Sequence, residues 1–575
     1  MMKNLMAILT RQIIRKLAIY ILTGLLSTAW AMPPNPVTLE QHLRAGKALP
    51  YYLDQRPMLL SRGIGAASKK LIPTSKASIS GQFRALAILI QFSDKTASVA
   101  AENFDTLLFV DKANTVRNYY YTVSYGQLDI VTVNLPSSLN WISAPQTYAY
   151  YCNSQNGTGA YPQNTQKLCE DMVTLVDPWV DFSQYDNDDD GEVDALILIH
   201  TGPGAEYTHQ NSDIWSHKWS TMMSVYKDGV RIRDYDIQPE YWLVPGDMTC
   251  GVYCHELGHI FGLPDLYDTD YSSRGIGRWS VMSYGSWNGP SGLGACPAEL
   301  DAWSRIELGF KEHINVISNT SNVLIDNVED GGNIYRLWNN GTIGNEYYLV
   351  ENRQKVGYDT YLPGAGLLIW HIDENLLGSM APNDNEWYPG HTSGGHFGVA
   401  LEQGDGLFQL EKLLSSGDWG DPFPGNSGNT AFTAFSSPSS NSYADVMTSV
   451  SVSDISDASL TMTADFQISY TSDVNNPESN LMPNCLILDQ NYPNPFNPST
   501  RIRFELPAPS RLTLSVYNIL GRKVVELAGG NYPAGSTEII WEGFDASGQP
   551  VSSGIYFYEI VTDYTRQVRK MILVK

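Results

Sequence analysis

Two stretches of the chain are almost purely apolar: residues 83–92 (FRALAILIQF) and residues 195–200 (ALILIH). Runs of this length without polar alternation predict strands buried on both faces. Helical stretches are expected between and after them. From about 311 to 470 the pattern changes to short strands separated by Gly, Asn and Asp turns, as in YYLVE at 347–351 and GLLIWH at 366–371. Residues 470–484 have the polar composition of a linker, and residues 485–575 show short alternating strands at regular spacing. Before residue 83 periodicity is weak. The expected fold class is α+β: a first domain over 83–310, a β-rich second lobe over 311–469, and a small β-sandwich over 485–575.

The N-terminus changes the picture by assigning a compartment. Lys3, Arg11, Arg15 and Lys16 precede an apolar run from Leu17 to Leu26, and Ala29-Trp30-Ala31 has the small-x-small form of a cleavage site. Residues 1–31 thus read as a signal peptide and the protein as secreted. No later segment reaches the ~18 consecutive apolar residues of a membrane span. Residues 32–82 read as a pro-segment. It carries Arg44, Lys47, Arg56, Arg62, Lys69, Lys70 and Lys76 against only Glu40 and Asp54, whereas the whole chain carries 37 basic and 61 acidic side chains. A basic segment ahead of an acidic body is expected to dock on it by charge. The net charge of −24 argues against nucleic acid as a partner. Apolar residues at 43 % supply enough material for globular cores and exclude a wholly disordered chain. Export makes the six cysteines candidates for disulfides. Cys152 and Cys169 bracket a short loop as a local pair, while Cys250 and Cys254, one helical turn apart, would compete for Cys296.

The candidate chemistry lies in CHELGHIFGLPD, residues 254–265. Residues four apart share a helix face, so His255 and His259 can hold one ion between them. Glu256 stands beside them as a general base toward water activated by the metal. Gly262 permits a turn that brings Asp265 back as a third ligand, with Asp268 close enough in sequence to compete. Three protein ligands and one open position describe a catalytic zinc site.

Further on, WSVMSYG at 279–285 resembles the Met-turn of the metzincin clan. In that resemblance Met282 forms an apolar floor beneath the metal and Tyr284 stabilises the oxyanion. Together with PAELDAWSRIELGF, YYLVENRQ and LPGAGLLIWHID, these motifs resemble the immune inhibitor A-like family of secreted bacterial zinc metallopeptidases over about residues 83–465. The resemblance implies a metzincin-like zinc endopeptidase acting on protein substrates. The alternative is a surface-associated binding or adhesion protein on a catalytically silent scaffold.

A second cation is suggested by Asp186, Asp188, Asp190, Glu192 and Asp194, spaced as D-x-D-x-D-G-x-x-D with Glu192 offering its carbonyl. Alternating oxygens and a Gly at the sixth place suit calcium. The position of an EF-hand's final Glu is Ile197, so this is an isolated loop. Asp405, Asp418, Asp421, His371, His391 and His396 in the second lobe read as turn residues and satisfied histidines. NYPNPFNPST at 491–500 opens a tail that resembles the C-terminal sorting domains of type IX secretion, which implies an Ig-like β-sandwich over 485–575 and outer-membrane secretion machinery as a partner.

Overall fold

The computed structural model of the 575-residue chain describes residues 32–55, 58–59, 79–378, 381–469, 486–506, 509–533, 535–562 and 566–574. The signal peptide and the linker lie outside the described residues. The chain divides into two compact units, residues 1–470 and 471–575.

In the first unit, helix α1 (Pro36–Arg44) starts at Asn35, whose side chain accepts the amides of Val37 and Thr38. The first apolar run is not one strand. It divides at Ala85 into β1 (Gly81–Arg84), which pairs in parallel with β3 (Leu128–Val131), and β2 (Leu86–Gln91), which enters a different sheet. That sheet is ordered β4-β2-β5-β7-β6, with β4 at Ile142–Ser143, β5 at Leu196–Pro203, β6 at His217–Lys227 and β7 at Val230–Tyr241. All its pairings are parallel except β6 with β7. These two strands are joined at Asp228 and Gly229, whose φ values of 51° and 87° form a tight hairpin turn.

Near-continuous apolar strands linked by helical crossovers favour parallel pairing. The unit is accordingly mixed α/β, a correction to the segregated α+β arrangement expected. Helix α2 (Val116–Val123) buries Val116, Tyr119, Tyr120 and Val123, one face at helical spacing. The Tyr120 hydroxyl donates to the Cys254 carbonyl at 2.5 Å, which ties α2 to the motif helix.

The second lobe has a five-stranded sheet in which β8 (His313–Asn315), β10 (Ile334–Leu337), β11 (Glu346–Arg353), β12 (Gly366–Asp373) and β13 (Val399–Leu401) lie side by side in that order. In its three-stranded sheet β15 (Thr461–Gln467) lies between β14 (Ser451–Ser453) and β9 (Thr320–Asp326). The two longest strands of the lobe are β11 and β12. Tyr347 and Leu349 of β11, with Leu368, Trp370 and Ile372 of β12, join the apolar cluster of the motif helix. Tyr348, Val350, Leu367 and Ile369 face the three-stranded sheet. The lobe therefore completes the core of the preceding residues instead of packing as a separate body. Charges buried at this junction are paired, as burial requires: Arg353 with Asp359 at 2.7 Å and Glu351 at 3.2 Å, and Arg305 with Glu299 at 2.6 Å.

The second unit is a sandwich of a three-stranded and a four-stranded sheet. In its strand Thr500–Leu506, Ile502, Phe504 and Leu506 point into the core while Arg501 and Arg503 point outward.

The cysteine pairings expected are not formed. Cys152, Cys169, Cys250, Cys254 and Cys296 are all buried free thiols. Within the loop between the first two, Asn156 is tied to the 210–213 segment, its side-chain amide donating to the carbonyls of Gln210 and Asp213, both at 2.9 Å.

Candidate metal centre

Helix α3 (Cys250–Ile260) is buried along its whole length. It ends where Gly262, at φ 95°, takes the left-handed conformation that a residue with a Cβ adopts only under strain. The chain reverses there, and Asp265 returns to the face that carries the histidines. His255 Nε2 and His259 Nε2 are 3.1 Å apart, and Asp265 Oδ1 lies 3.2 and 3.4 Å from them. All three side chains are fully buried.

His255 Nδ1 meets the Val281 carbonyl at 2.8 Å, and His259 Nδ1 meets the Leu263 carbonyl at 2.8 Å. A carbonyl only accepts, so each Nδ1 carries the proton and each Nε2 presents a lone pair. Three acceptors then converge on one point, an arrangement that a cation stabilises. Ligands ~2.0–2.1 Å from a tetrahedral zinc would stand about 3.3–3.4 Å from one another, close to the spacing seen. The donor set fits zinc. Burial pushes the Asp265 carboxyl up, but the two imidazoles outweigh it and hold the group well below the usual carboxylate range. Burial holds His259 down at about 4.

Glu256 is fully buried beside this point. Burial, then the nearby carboxylates of Asp236 and Asp265, raises its carboxyl well above the ordinary value. Its Oε1 accepts the Met32 amide at 2.7 Å, and its Oε2 has no hydrogen-bond partner among the described residues.

Met32 belongs to a short extended stretch laid across the site. The Trp215 indole donates to the Met32 carbonyl at 3.0 Å, and the Trp287 indole donates to the Pro33 carbonyl at 3.0 Å. Asn35 donates its backbone amide to Glu206 O at 2.8 Å and its side-chain amide to Gly292 O at 2.9 Å. Beyond it, Thr38 Oγ1 lies 2.9 Å from His209 Nε2, and the amides of Tyr51 and Tyr52 donate to Asn211 and Asn156. The Tyr52 ring stacks on Trp215, with centroids 4.8 Å apart. Arg44 pairs with Glu40 of its own helix. The contacts of this described part are hydrogen bonds and apolar burial, while Arg56, Arg62, Lys69, Lys70 and Lys76, which carry most of the segment's charge, lie outside the described residues.

Met282 lies under the helix: a Cβ built on Gly258 would come 2.4 Å from Met282 Sδ. The fourth residue of the HExxH spacing, Gly258, is therefore Gly because the sulfur occupies its side-chain space. Tyr284 is fully buried, with its ring centroid 5.9 Å from that of Tyr267 and 5.6 Å from the Arg274 guanidinium. Burial raises its phenol, against the opposing pull of the neighbouring Arg274. Asp268 does not join the converging donors. Its carboxylate accepts the amides of Asp270, Tyr271 and Ser273 and caps a turn, while burial holds it up at about 7.

In the acidic loop the carboxylates of Asp186, Asp188 and Asp194 converge, with ligand atoms within 4.8 Å of one another. Asp190 and Glu192 are outside this group. Asp190 accepts the Glu192 amide at 2.9 Å, and the Glu192 carboxylate turns to Arg231 and Arg233 at 3.2 and 3.5 Å. Burial holds Asp194 up at about 7. In the lobe, His371 is bracketed by Glu346 and Glu402 at 3.0 and 3.1 Å, and His396 contacts Asp373 at 2.9 Å. His391 lies 3.4 Å from Glu386, and Asp405, Asp418 and Asp421 accept backbone amides of nearby turns.

Residues 98–311 match the profile of the immune inhibitor A peptidase M6 catalytic domain, and residues 491–565 match that of the FlgD Ig-like domain. Over 230 residues the chain is 32 % identical to Immune inhibitor A of Bacillus thuringiensis subsp. alesti, covering 33 % of this chain and 32 % of that protein. Over 238 residues it is 29 % identical to the pre-pro-metalloprotease PrtV of Vibrio cholerae serotype O1 (strain M66-2), covering 35 % and 25 % respectively. The chain thus spans at most 32 % of the length of either relative. Among solved structures, FlgD from P. aeruginosa matches 13 % of this chain and 60 % of its own at 27 % identity, with a TM-score of 0.12. Over residues 98–311 the chain is thus similar to a peptidase M6 catalytic domain of the immune inhibitor A type, and it shares sequence with Immune inhibitor A and with a pre-pro-metalloprotease.

Proposed function

We propose that the protein is a secreted zinc-dependent endopeptidase that hydrolyses peptide bonds in protein substrates. The observation that carries this reading is the convergence of His255, His259 and Asp265 beside the buried carboxyl of Glu256. Bound by those three residues, zinc supplies Lewis acidity toward water and the scissile carbonyl. Glu256 takes a proton from the attacking water and returns it to the leaving nitrogen, a role that its place beside the three converging ligands suits. The carbonyls of Val281 and Leu263 keep the imidazoles oriented. Met282 supports the helix from below, and the Tyr284 hydroxyl turns toward the developing oxyanion once substrate is in place. Casein hydrolysis should vanish on chelation and return on adding zinc. Hydrolysis that survives chelation would refute the metal role. Zinc-loaded protein that leaves casein intact after the pro-segment is removed would favour a binding protein on a silent scaffold.

The same reading extends to latency and export. The stretch from Met32 to Asn35 occupies the face of Glu256 and holds the enzyme inactive until it is removed, in keeping with the name pre-pro-metalloprotease borne by one relative. Residues 1–31 direct export, and the C-terminal sandwich addresses the protein to outer-membrane secretion machinery, followed by release or surface attachment.

Calcium binds at Asp186, Asp188 and Asp194 and stiffens the turn ahead of β5. The melting temperature of the wild type should rise with calcium, by an amount corresponding to about 2.7 kcal/mol at a hundred times the dissociation constant. The double substitution Asp186→Asn, Asp188→Asn should abolish the rise. An unchanged calcium response in that variant places the site elsewhere.

A further inference from the structure

We infer that the cleft selects a flexible apolar residue, methionine best, on the C-terminal side of the bond it cuts, and holds the next residue by its carbonyl, so that proline is accepted there. The inference rests on the peptidase reading above and deepens it. A carboxylate that returns a proton to the leaving nitrogen must lie within hydrogen-bond reach of it. The Met32 nitrogen, 2.7 Å from Glu256 Oε1, therefore marks where the leaving nitrogen stands. The chain after that nitrogen then traces the path of the leaving segment, and the Met32 side chain occupies the place of its first side chain.

That side chain is fully enclosed, in the apolar cluster that also holds Tyr253, Met282 and Trp287. An unbranched thioether adapts to such an enclosure. A carboxylate there would lose its water without gaining a partner, and a glycine would leave the space unfilled. The next two residues are Pro33 and Pro34, which have no N–H, so this side of the cleft cannot read them by strand pairing. It reads carbonyls instead, through the indoles of Trp215 and Trp287.

The test uses the full zinc-loaded chain after tryptic removal of the pro-segment, with quenched fluorogenic peptides that share one half and vary the residue after the scissile bond. Met should exceed Gly and Asp in kcat/KM by about tenfold or more, and Pro at the following position should be cleaved as well as Ala. In the metal-free protein, acetyl-Met-Pro-Pro-Asn-amide should quench tryptophan fluorescence at concentrations about tenfold lower than its Gly counterpart. Trp287→Phe keeps a ring but loses the donor. It should lower kcat/KM several-fold more on the long peptides than on a peptide ending in Met-amide, which lacks the next carbonyl. Casein cleaved while Met, Gly and Asp peptides agree within twofold would overturn the selectivity but keep the peptidase. An equal loss with Trp287→Phe on both peptide lengths would overturn the carbonyl reading. Casein left intact under the same conditions would remove the peptidase reading itself.

Discussion

Replacing Glu256 by Gln is expected to cut casein turnover by about 10²–10⁴-fold while zinc stays stoichiometric. The amide keeps the shape of the side chain and an oxygen for the Met32 amide, but it cannot take up a proton at neutral pH. The ligand atoms belong to His255, His259 and Asp265, so metal affinity should change little. The surroundings of Glu256 make the effect large. Its carboxyl is fully buried beside the three converging ligands, the place from which a proton can reach both the water and the leaving nitrogen. A variant with one zinc per chain and the wild-type rate would remove Glu256 from the proton transfer.

The full chain is expected to be latent, and the latency to be insensitive to salt. A covalently held segment acts at an effective concentration in the millimolar range. Cutting the tether and diluting should therefore raise activity by about tenfold or more. Charge docking would weaken with ionic strength, because exposed pairs are screened. The contacts described here have another character: two indole donors, the two amides of Asn35, and the buried side chains of Met32, Tyr52 and Leu59. Residues 32–78 supplied in trans should inhibit the freed enzyme to the same extent from low to high salt. Inhibition that fades as salt rises would restore the electrostatic mechanism, and no inhibition at any salt would reduce the segment to a folding aid.

The parts of the site that were legible in the sequence are those encoded by local spacing. His255 and His259 are one helical turn apart, and Gly262 carries Asp265 back within a few residues, so short-range geometry determines their convergence. Asp265 could be separated from Asp268 only through hydrogen bonding, because the second carboxylate is consumed by the amides of its own turn. The carbonyls that orient the imidazoles carry no signature, since any residue supplies one. Gly258 did carry a signal, a small residue inside a helix, but its meaning depends on Met282 arriving from a later turn. Trp215 and Trp287 reach residues far away in sequence and are silent to any periodicity. The apolar run at 83–92 concealed a change of sheet at Ala85, because both of its halves are buried strands and pattern alone cannot show where pairing partners change. In the acidic loop the motif spacing suggested five ligands. Arg231 and Arg233, distant in sequence, hold the Glu192 side chain, so that only its backbone carbonyl, the atom the spacing assigns, is left to the loop.

The core that encloses the motif helix gathers residues from Met32 to Leu410, including both middle strands of the lobe. During synthesis this core stays open long after the zinc-binding motif has left the ribosome, and it closes only once β11 and β12 have followed. A nascent chain halted at the end of the matched peptidase segment, at residue 311, would carry every metal ligand yet lack the wall that keeps them dry. For this protein the order of emergence places closure of the core around the candidate ligands after most of the first unit has been translated.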